Sequence, residues 1–319
     1  MTELSESRDN TLIETPGCSA AEGTVHWDLV HSLWNGGMLA AALILGPLFF
    51  TWSALAVFLA LTGAALLLGH SVGFHRRLIH HSFDCPLWLE RTLVWVGTCV
   101  GMSGPFWMMK THDLRDWAQR QPVCHDYLGH GRPMLIDGFW QLHCRLELTR
   151  PPTFDLGAAG RDPFYRFLEA TWMLQQVPIA ALLFLAGGWP WVIWGVCARV
   201  SLSVTGHWLV GHLAHRHGPQ SWLVQGAAVQ AHDVPWAAVP TMGEAWHNNH
   251  HAFPRSARIG LYPGQSDWGY RFILLLERLG LAWNILLPTD LPHRQMLVPA
   301  PSEGSHHAHA AVARAPGRS

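Results

Sequence analysis

Charge is scarce in this chain. Only 13% of its 319 residues are Asp, Glu, Lys or Arg, and lysine occurs once, at Lys110. Basic and acidic residues nearly cancel, 21 against 22, so no cationic surface is implied and nucleic acid is set aside as a partner. Long blocks carry no Asp, Glu, Lys or Arg at all: residues 35–69 and 170–198. In 200–215 the only ionisable side chains are histidines. Roughly 20 apolar residues cross a bilayer as a helix, so these blocks read as membrane spans rather than soluble core helices. Cysteine is sparse and irregular. Cys18, Cys85, Cys99, Cys124, Cys144 and Cys197 form no CxxC pair, which argues against a zinc ribbon or a disulfide framework and fits a reducing compartment. Residues 1–22 are polar and lack the basic-then-apolar pattern of a secretory signal.

Histidine (22) and tryptophan (18) are abundant. The pattern predicts an all-α integral membrane protein with four transmembrane helices, at about 29–49, 53–73, 167–185 and 191–213. Residues 1–25 are expected to be a disordered polar tail, 26–292 the membrane domain, and 293–319 a disordered Pro/Ala/His-rich tail whose His306, His307 and His309 are solvated. Residues 85–109 are apolar but broken by Gly101, Gly104 and Pro105, and read as a helix in the interface rather than a further span. Residues 268–283 read as amphipathic, with Leu275, Leu279 and Ala282 sharing a face opposite Arg271 and Arg278. Four crossings put the segments near 75–80, 112–116, 212–215 and 247–251 on one side of the membrane, as a helical cap. The turns on the other side, near Phe50 and Trp189, carry no Lys or Arg. The positive-inside rule then makes the histidine side and both termini cytoplasmic, in what we expect to be a bacterial inner (plasma) membrane.

The densest motif is Gly243-Glu244-Ala245-Trp246-His247-Asn248-Asn249-His250-His251-Ala252-Phe253-Pro254. Its histidines stand at i, i+3 and i+4, which on a helix share one face, and three imidazoles converging on one small object point to a metal. His75 and His80 are five apart and meet only if their helix frays or bends. His81 is balanced between ligand and surface. His112 and Asp116, at i and i+4, share a face and read equally as a chelating pair for iron or zinc or as Asp116 paired with Arg115 or Arg120 in a surface network. His212 and His215 lie at the end of a span, where ionisable residues default to function. His207 reads as a packed histidine, and Arg199 as a structural arginine bonded to carbonyls. His125, His130 and His143 lack ligand spacing and read as surface. Seven or more histidines at one face exceed the needs of one zinc, and two redox-active ions fit better.

These residues carry a resemblance. The chain resembles the membrane-bound fatty acyl desaturases of the stearoyl-CoA desaturase type, defined by histidine boxes HxxxxH, HxxHH and HxxHH. His75 to His80 resembles the first box, and His247, His250 and His251 the third. His215, seven residues after Trp208, resembles the segment supplying an extra ligand histidine, and Arg199 falls where the family carries an arginine. The second box departs: His112 matches, but Arg115 and Asp116 stand where two histidines are expected. The family's metal-linked asparagine before the extra histidine is Gly211 here.

The resemblance implies a di-iron oxidoreductase with ligands His75, His80, His112, Asp116, His215, His247, His250 and His251, and with His81, His125 or His212 as further candidates for the gaps. It implies an acyl-CoA or acyl-lipid substrate, O2, surrounding membrane lipid, and a separate electron donor of the ferredoxin, rubredoxin or cytochrome b5 type. Lys110 is expected to contact the substrate head group. A di-iron lipid hydroxylase or other acyl-chain oxidase is the near alternative. A non-catalytic lipid-binding homologue is the distant one.

Overall fold

The computed structural model describes residues 11–301, and helices dominate it. Helix α1 (Leu29–Leu48) starts where the Asp28 carboxylate accepts the His31 N–H. Thr51 caps the next helix in the same way, and α2 (Trp52–Ile79) then runs for 28 residues, about 42 Å at 1.5 Å per residue. That length crosses the hydrocarbon and carries the helix end beyond it. Helix α3 (Leu87–Cys99) has 13 residues, about 20 Å, too short to span. It lies against α2, and α4 (Pro105–Arg120) follows with proline at its start. The short helices α5 (Asp126–Gly129) and α6 (Met134–His143) precede α7 (Pro163–Thr171) and the long α8 (Gln176–Ala214). Helices α9 (His247–Ala252) and α10 (Trp268–Arg278) lie nearer the C-terminus.

Among the described residues three helices, α1, α2 and α8, are long and apolar enough to cross a membrane. Helix α8 is broken at Gly188, whose φ of 66° and ψ of −160° are not helical and suit only glycine. Past this point the chain doubles back. Arg199 donates to Gln176 Oε1, although 23 residues of straight helix would hold them about 35 Å apart. The segment expected to span at 167–185 is divided, with 172–175 forming turns between α7 and α8. Leu33, Leu43 and Leu48 on α1, and Leu182 and Leu185 on α8, are exposed. So large an apolar surface suits lipid, where each helix satisfies its own backbone. Arg199 is buried and also donates to the carbonyls of Gly195 (2.7 Å) and Cys99 (2.6 Å), the structural role its position suggested.

Strands β1 (Leu12–Ile13), β2 (Gly23–Trp27), β3 (Cys144–Leu148), β4 (Thr153–Phe154), β5 (Trp222–Val224) and β6 (Leu297–Pro299) amend the all-α expectation. They pair antiparallel as β1 with β4, β2 with β3 and β5 with β6. Residues 11–25, expected to be disordered, are therefore ordered: their backbone groups find a partner strand, and Leu12 and Ala20 are buried. Part of the C-terminal tail is likewise fixed by β6. Residues 1–10 and 302–319, which include His306, His307 and His309, lie outside the described residues. Helix α10 also differs from expectation. It buries Gly269, Ile273 and Leu276 and leaves Leu275 and Leu279 exposed, because its contact with α2 lies one position off the predicted stripe.

Candidate metal centre

Local backbone geometry explains how His75 and His80 meet. The second half of α2, Ala65–Ile79, is a π-helix, and the His80 N–H donates to the His75 carbonyl at 3.1 Å. The i→i+5 turn is wider than an α-turn, so residues five apart come to one face and the two ring centres lie 4.8 Å apart. Helix α4 brings His112 to 5.3 Å from His75 and 4.7 Å from His80. Helix α9 brings His250 to 4.4 and 4.8 Å from the same two rings. One nitrogen from each of these four histidines lies within 4.8 Å of the others.

A second set forms from His215, at the end of α8, with His247 and His251. Nε2 of His247 lies 3.1 Å from that of His215 and 3.0 Å from that of His251. The α9 histidines thus divide between two sets instead of converging on one object. Positions i and i+4 differ by about 40° around the axis, while i+3 falls about 60° to the other side, so His247 and His251 face one set and His250 the other.

The sets suit metal ions. His80 Nε2 is buried without a hydrogen-bond partner. Metal–imidazole bonds of about 2.0–2.1 Å place adjacent donor nitrogens about 3 Å apart, close to the spacing from His247 to His215 and His251 and, at 3.3 Å, from His75 Nε2 to His250 Nε2. Burial and the neighbouring imidazoles push His247 and His250 well below the ordinary histidine range, and burial brings His251 to about 4. The neutral, metal-binding form of these three therefore prevails at neutral pH. His112 moves the other way: burial disfavours its charge, but Asp116 and Asp113 outweigh burial. All-nitrogen donors of this kind suit iron among the transition metals.

A buried ionic relay orients the first set. His75 Nδ1 lies 2.5 Å from Glu244 Oε2, which leaves Nε2 for a metal. Glu244 also takes Ser71 Oγ at 2.5 Å and the Arg76 guanidinium. Arg76 reaches Asp267 Oδ1 at 2.8 Å and the Ala257 carbonyl at 2.8 Å. Burial alone would raise Glu244, but Arg76 and His75 overcome it and hold the carboxyl well below its usual range. Sequence reasoning did not assign this role. Glu244, three residues before His247, was the available signal.

Asn248 and Asn249 hold α9 in place. Asn248 Oδ1 accepts from Ser221 and Trp222 N–H, and Asn249 Nδ2 donates to the Ile259 carbonyl. The Asn248 N–H donates to Asp233 Oδ1 at 2.9 Å. Burial raises the Asp233 carboxyl to about 7, against the hydrogen bonds from Asn248 and Asn249. Unfolded, this group loses its proton near pH 4. Its contribution to stability is therefore full below that pH and is lost as pH rises to about 7. The stability of Asp233→Asn relative to the parent should rise across this window by a few kcal/mol, on the order of 1.4 kcal/mol per unit, and level off above it. Thermal unfolding in detergent from pH 4 to 8 measures the difference, and a pH-independent difference would contradict it.

The remaining predicted residues fall elsewhere. Asp116 is buried on α4, where burial would raise its pKa but His112 and His251 hold it below the carboxylate range. It is not a member of either converging set. Arg115, in a box position, donates to Gln141 Oε1 at 2.7 Å. His81 is exposed beside Arg77, just past the end of α2, where the chain leaves the helix with φ 48°. His125 caps α5 by accepting the Tyr127 N–H at 3.1 Å. His212 donates through Nδ1 to Asp137 Oδ2 at 2.8 Å, so it joins a different group, with His130. Lys110 is exposed on α4, two residues before His112. His207 packs edge-on against His70, ring centres 5.0 Å apart.

No family model matches the chain. Individual proteins do. It is 34% identical to the acyl-CoA C20 Delta5-desaturase of Anemone leveillei over 84% of this chain and 85% of that one. It is 34% identical to the sn-1 stearoyl-lipid 9-desaturase of Anabaena variabilis over 80% and 94%. It is 30% identical to the chloroplastic palmitoyl-monogalactosyldiacylglycerol delta-7 desaturase of Arabidopsis thaliana over 86% and 75%. Apolar helices, two sets of converging imidazoles and these likenesses over most of the chain agree: the protein belongs to the fatty acyl desaturases, a family of oxidoreductases.

Proposed function

We propose that this desaturase inserts a double bond into the acyl chain of an acyl-CoA or acyl-lipid, with one iron at each histidine set. The observation that carries this reading is the pair of buried imidazole sets joined through α9. His75, His80, His112 and His250 would hold one ion, and His215, His247 and His251 the other, with Asp116 between them. An unactivated C–H bond lies beyond acid–base side chains, and bound irons would supply the O2-derived oxidant that removes hydrogens from two adjacent methylenes. The protein's part is to fix the imidazole tautomers, through Glu244 at His75, and to bury the site among apolar helices. An electron carrier and O2 complete the reaction.

The reading includes four crossings, α1, α2 and the two arms of α8 with α7 leading into the first arm. The histidine sets would then lie on the cytoplasmic side of a bacterial inner membrane, where the basic residues outside the spans gather. Expression in a host lacking its own desaturase should yield monounsaturated acyl chains. Saturated or hydroxylated products by mass spectrometry would overturn the assignment.

Lys110 is proposed to meet a phosphate or other anionic head group. Lys110→Glu should raise the apparent KM about tenfold, the equivalent of one charged contact of roughly 1.4 kcal/mol, with little change in kcat. An unchanged KM would remove Lys110 from the substrate site.

A further inference from the structure

His130 read as surface from the sequence, yet it is 1% exposed. Its Nδ1 lies 2.8 Å from Asp137 Oδ2. The same oxygen receives His212 Nδ1 and Trp208 Nε1, each at 2.8 Å. A carboxylate oxygen only accepts, so His130 must carry its proton on Nδ1. Its Nε2 is left with a lone pair, and that atom is buried without a partner. This is the carboxylate–histidine arrangement that prepares an imidazole for a metal.

The lone pair has a destination. The His130 ring lies parallel to that of His215, 10° between planes and 5.5 Å between centres. Two imidazoles on one metal at about 2.1 Å have centres roughly 4.5–6.4 Å apart, and the three pairs within the second set measure 4.7, 5.3 and 4.5 Å. His130 also approaches Gly211: a β-carbon there would lie 3.5 Å from His130 Nε2. A side chain as long as asparagine would compete with the ring, and Gly211 is the position where the resemblance expects one. The backbone at His130 is left-handed, φ 53°, uncommon for a residue with a β-carbon and kept where the surroundings impose it.

We infer that His130 Nε2 is a donor to the metal held by His215, His247 and His251, standing in for the imidazole that Arg115 displaced from the second box. The inference rests on the two-metal reading above. Asp137, Trp208 and His212 are positioning residues for it. His130 stands with Asp137 and His212 rather than with the other three histidines, and of those three its ring meets this centre-to-centre range with His215 alone, so the ring would shift toward His247 and His251 on binding the ion.

Titration of the full-length, detergent-solubilised apoprotein with Co(II), followed by its visible absorption, tests this. The parent chain should bind two ions. His130→Ala should bind the first with unchanged affinity, which also reports that the fold is intact, and the second at least 10–100-fold more weakly. Two ions bound at parental affinity would overturn the role of His130 and leave the two-metal reading standing. No tight binding by the parent would overturn both. If the alanine variant loses both sites, His130→Phe refills the volume without a nitrogen: a restored first site with a weak second supports the inference, and two restored sites refute it.

Discussion

His250→Ala should abolish double-bond formation. His250 is 2% exposed, and its ring stands 4.4 Å from His75, 4.8 Å from His80 and 5.9 Å from His112. Of the three α9 histidines it alone joins this set, so no neighbour on the helix can replace it. It also stands between the sets, 5.8 and 5.7 Å from the rings of His247 and His251. Loss of an outer partner of a ligand typically lowers affinity or activity 10–100-fold, and loss of a ligand should exceed that. The variant should still reach the membrane fraction, carry about half the parental iron and leave the host's acyl chains saturated, with activity down at least about 100-fold. Iron content and fatty-acid profiling check both parts. Activity near the parental level would remove His250 from the centre.

Gly73→Ala should destabilise the packing of α2 on α3, where Gly63→Ala on the same helix should not. An added β-carbon would lie 2.5 Å from the Leu93 carbonyl oxygen and 2.7 Å from its carbon. These are backbone atoms of α3, which cannot turn aside as a flexible side chain can. Gly69 meets the same wall one turn earlier, 2.6 Å from Gly97 N and Val96 C. Separating α2 from α3 opens a contact that buries Val72, Leu89 and Leu93 and moves His75, two residues further on. Overpacking of a tight core costs about 1–3 kcal/mol and occasionally more, which in a chain of this size lowers the apparent Tm by roughly 2–10 °C. Gly63→Ala, with nothing within 4 Å of the added carbon, should instead be neutral or stabilise by about 0.4–1 kcal/mol. Thermal unfolding of both variants in the same detergent separates the contact from a general effect of alanine. Equal Tm values would show that α3 can yield.

Much of this was legible in the residues because the signals are local. The charge-free blocks mark apolar helices without any knowledge of neighbours, and HxxHH puts three imidazoles close together on a helix through spacing alone. The incompatibility of His75 and His80 with an α-helix was also legible, and the π-helical turn resolves it. Other features depended on partners distant in sequence. Residues 11–25 carry little apolar signal, and they order because 144–154 offer a complementary edge. Leu275 and Leu279 share a predicted face, but the register of α10 on α2 selected Ile273 and Leu276 instead.

The sequence by itself determined which chemistry is available: many imidazoles, few charges, and helices suited to lipid. Tertiary structure decided how the donors are divided. His75 and His250 are 175 positions apart, and only the packing of α2, α4, α8 and α9 assigns four histidines to one set and three to another. The same packing makes His130 interior and exposes His81, although the sequence ranked His81 higher. Spacing fixes which side of its own helix a residue faces, whereas the neighbour it meets there is set by the long-range burial of apolar surface.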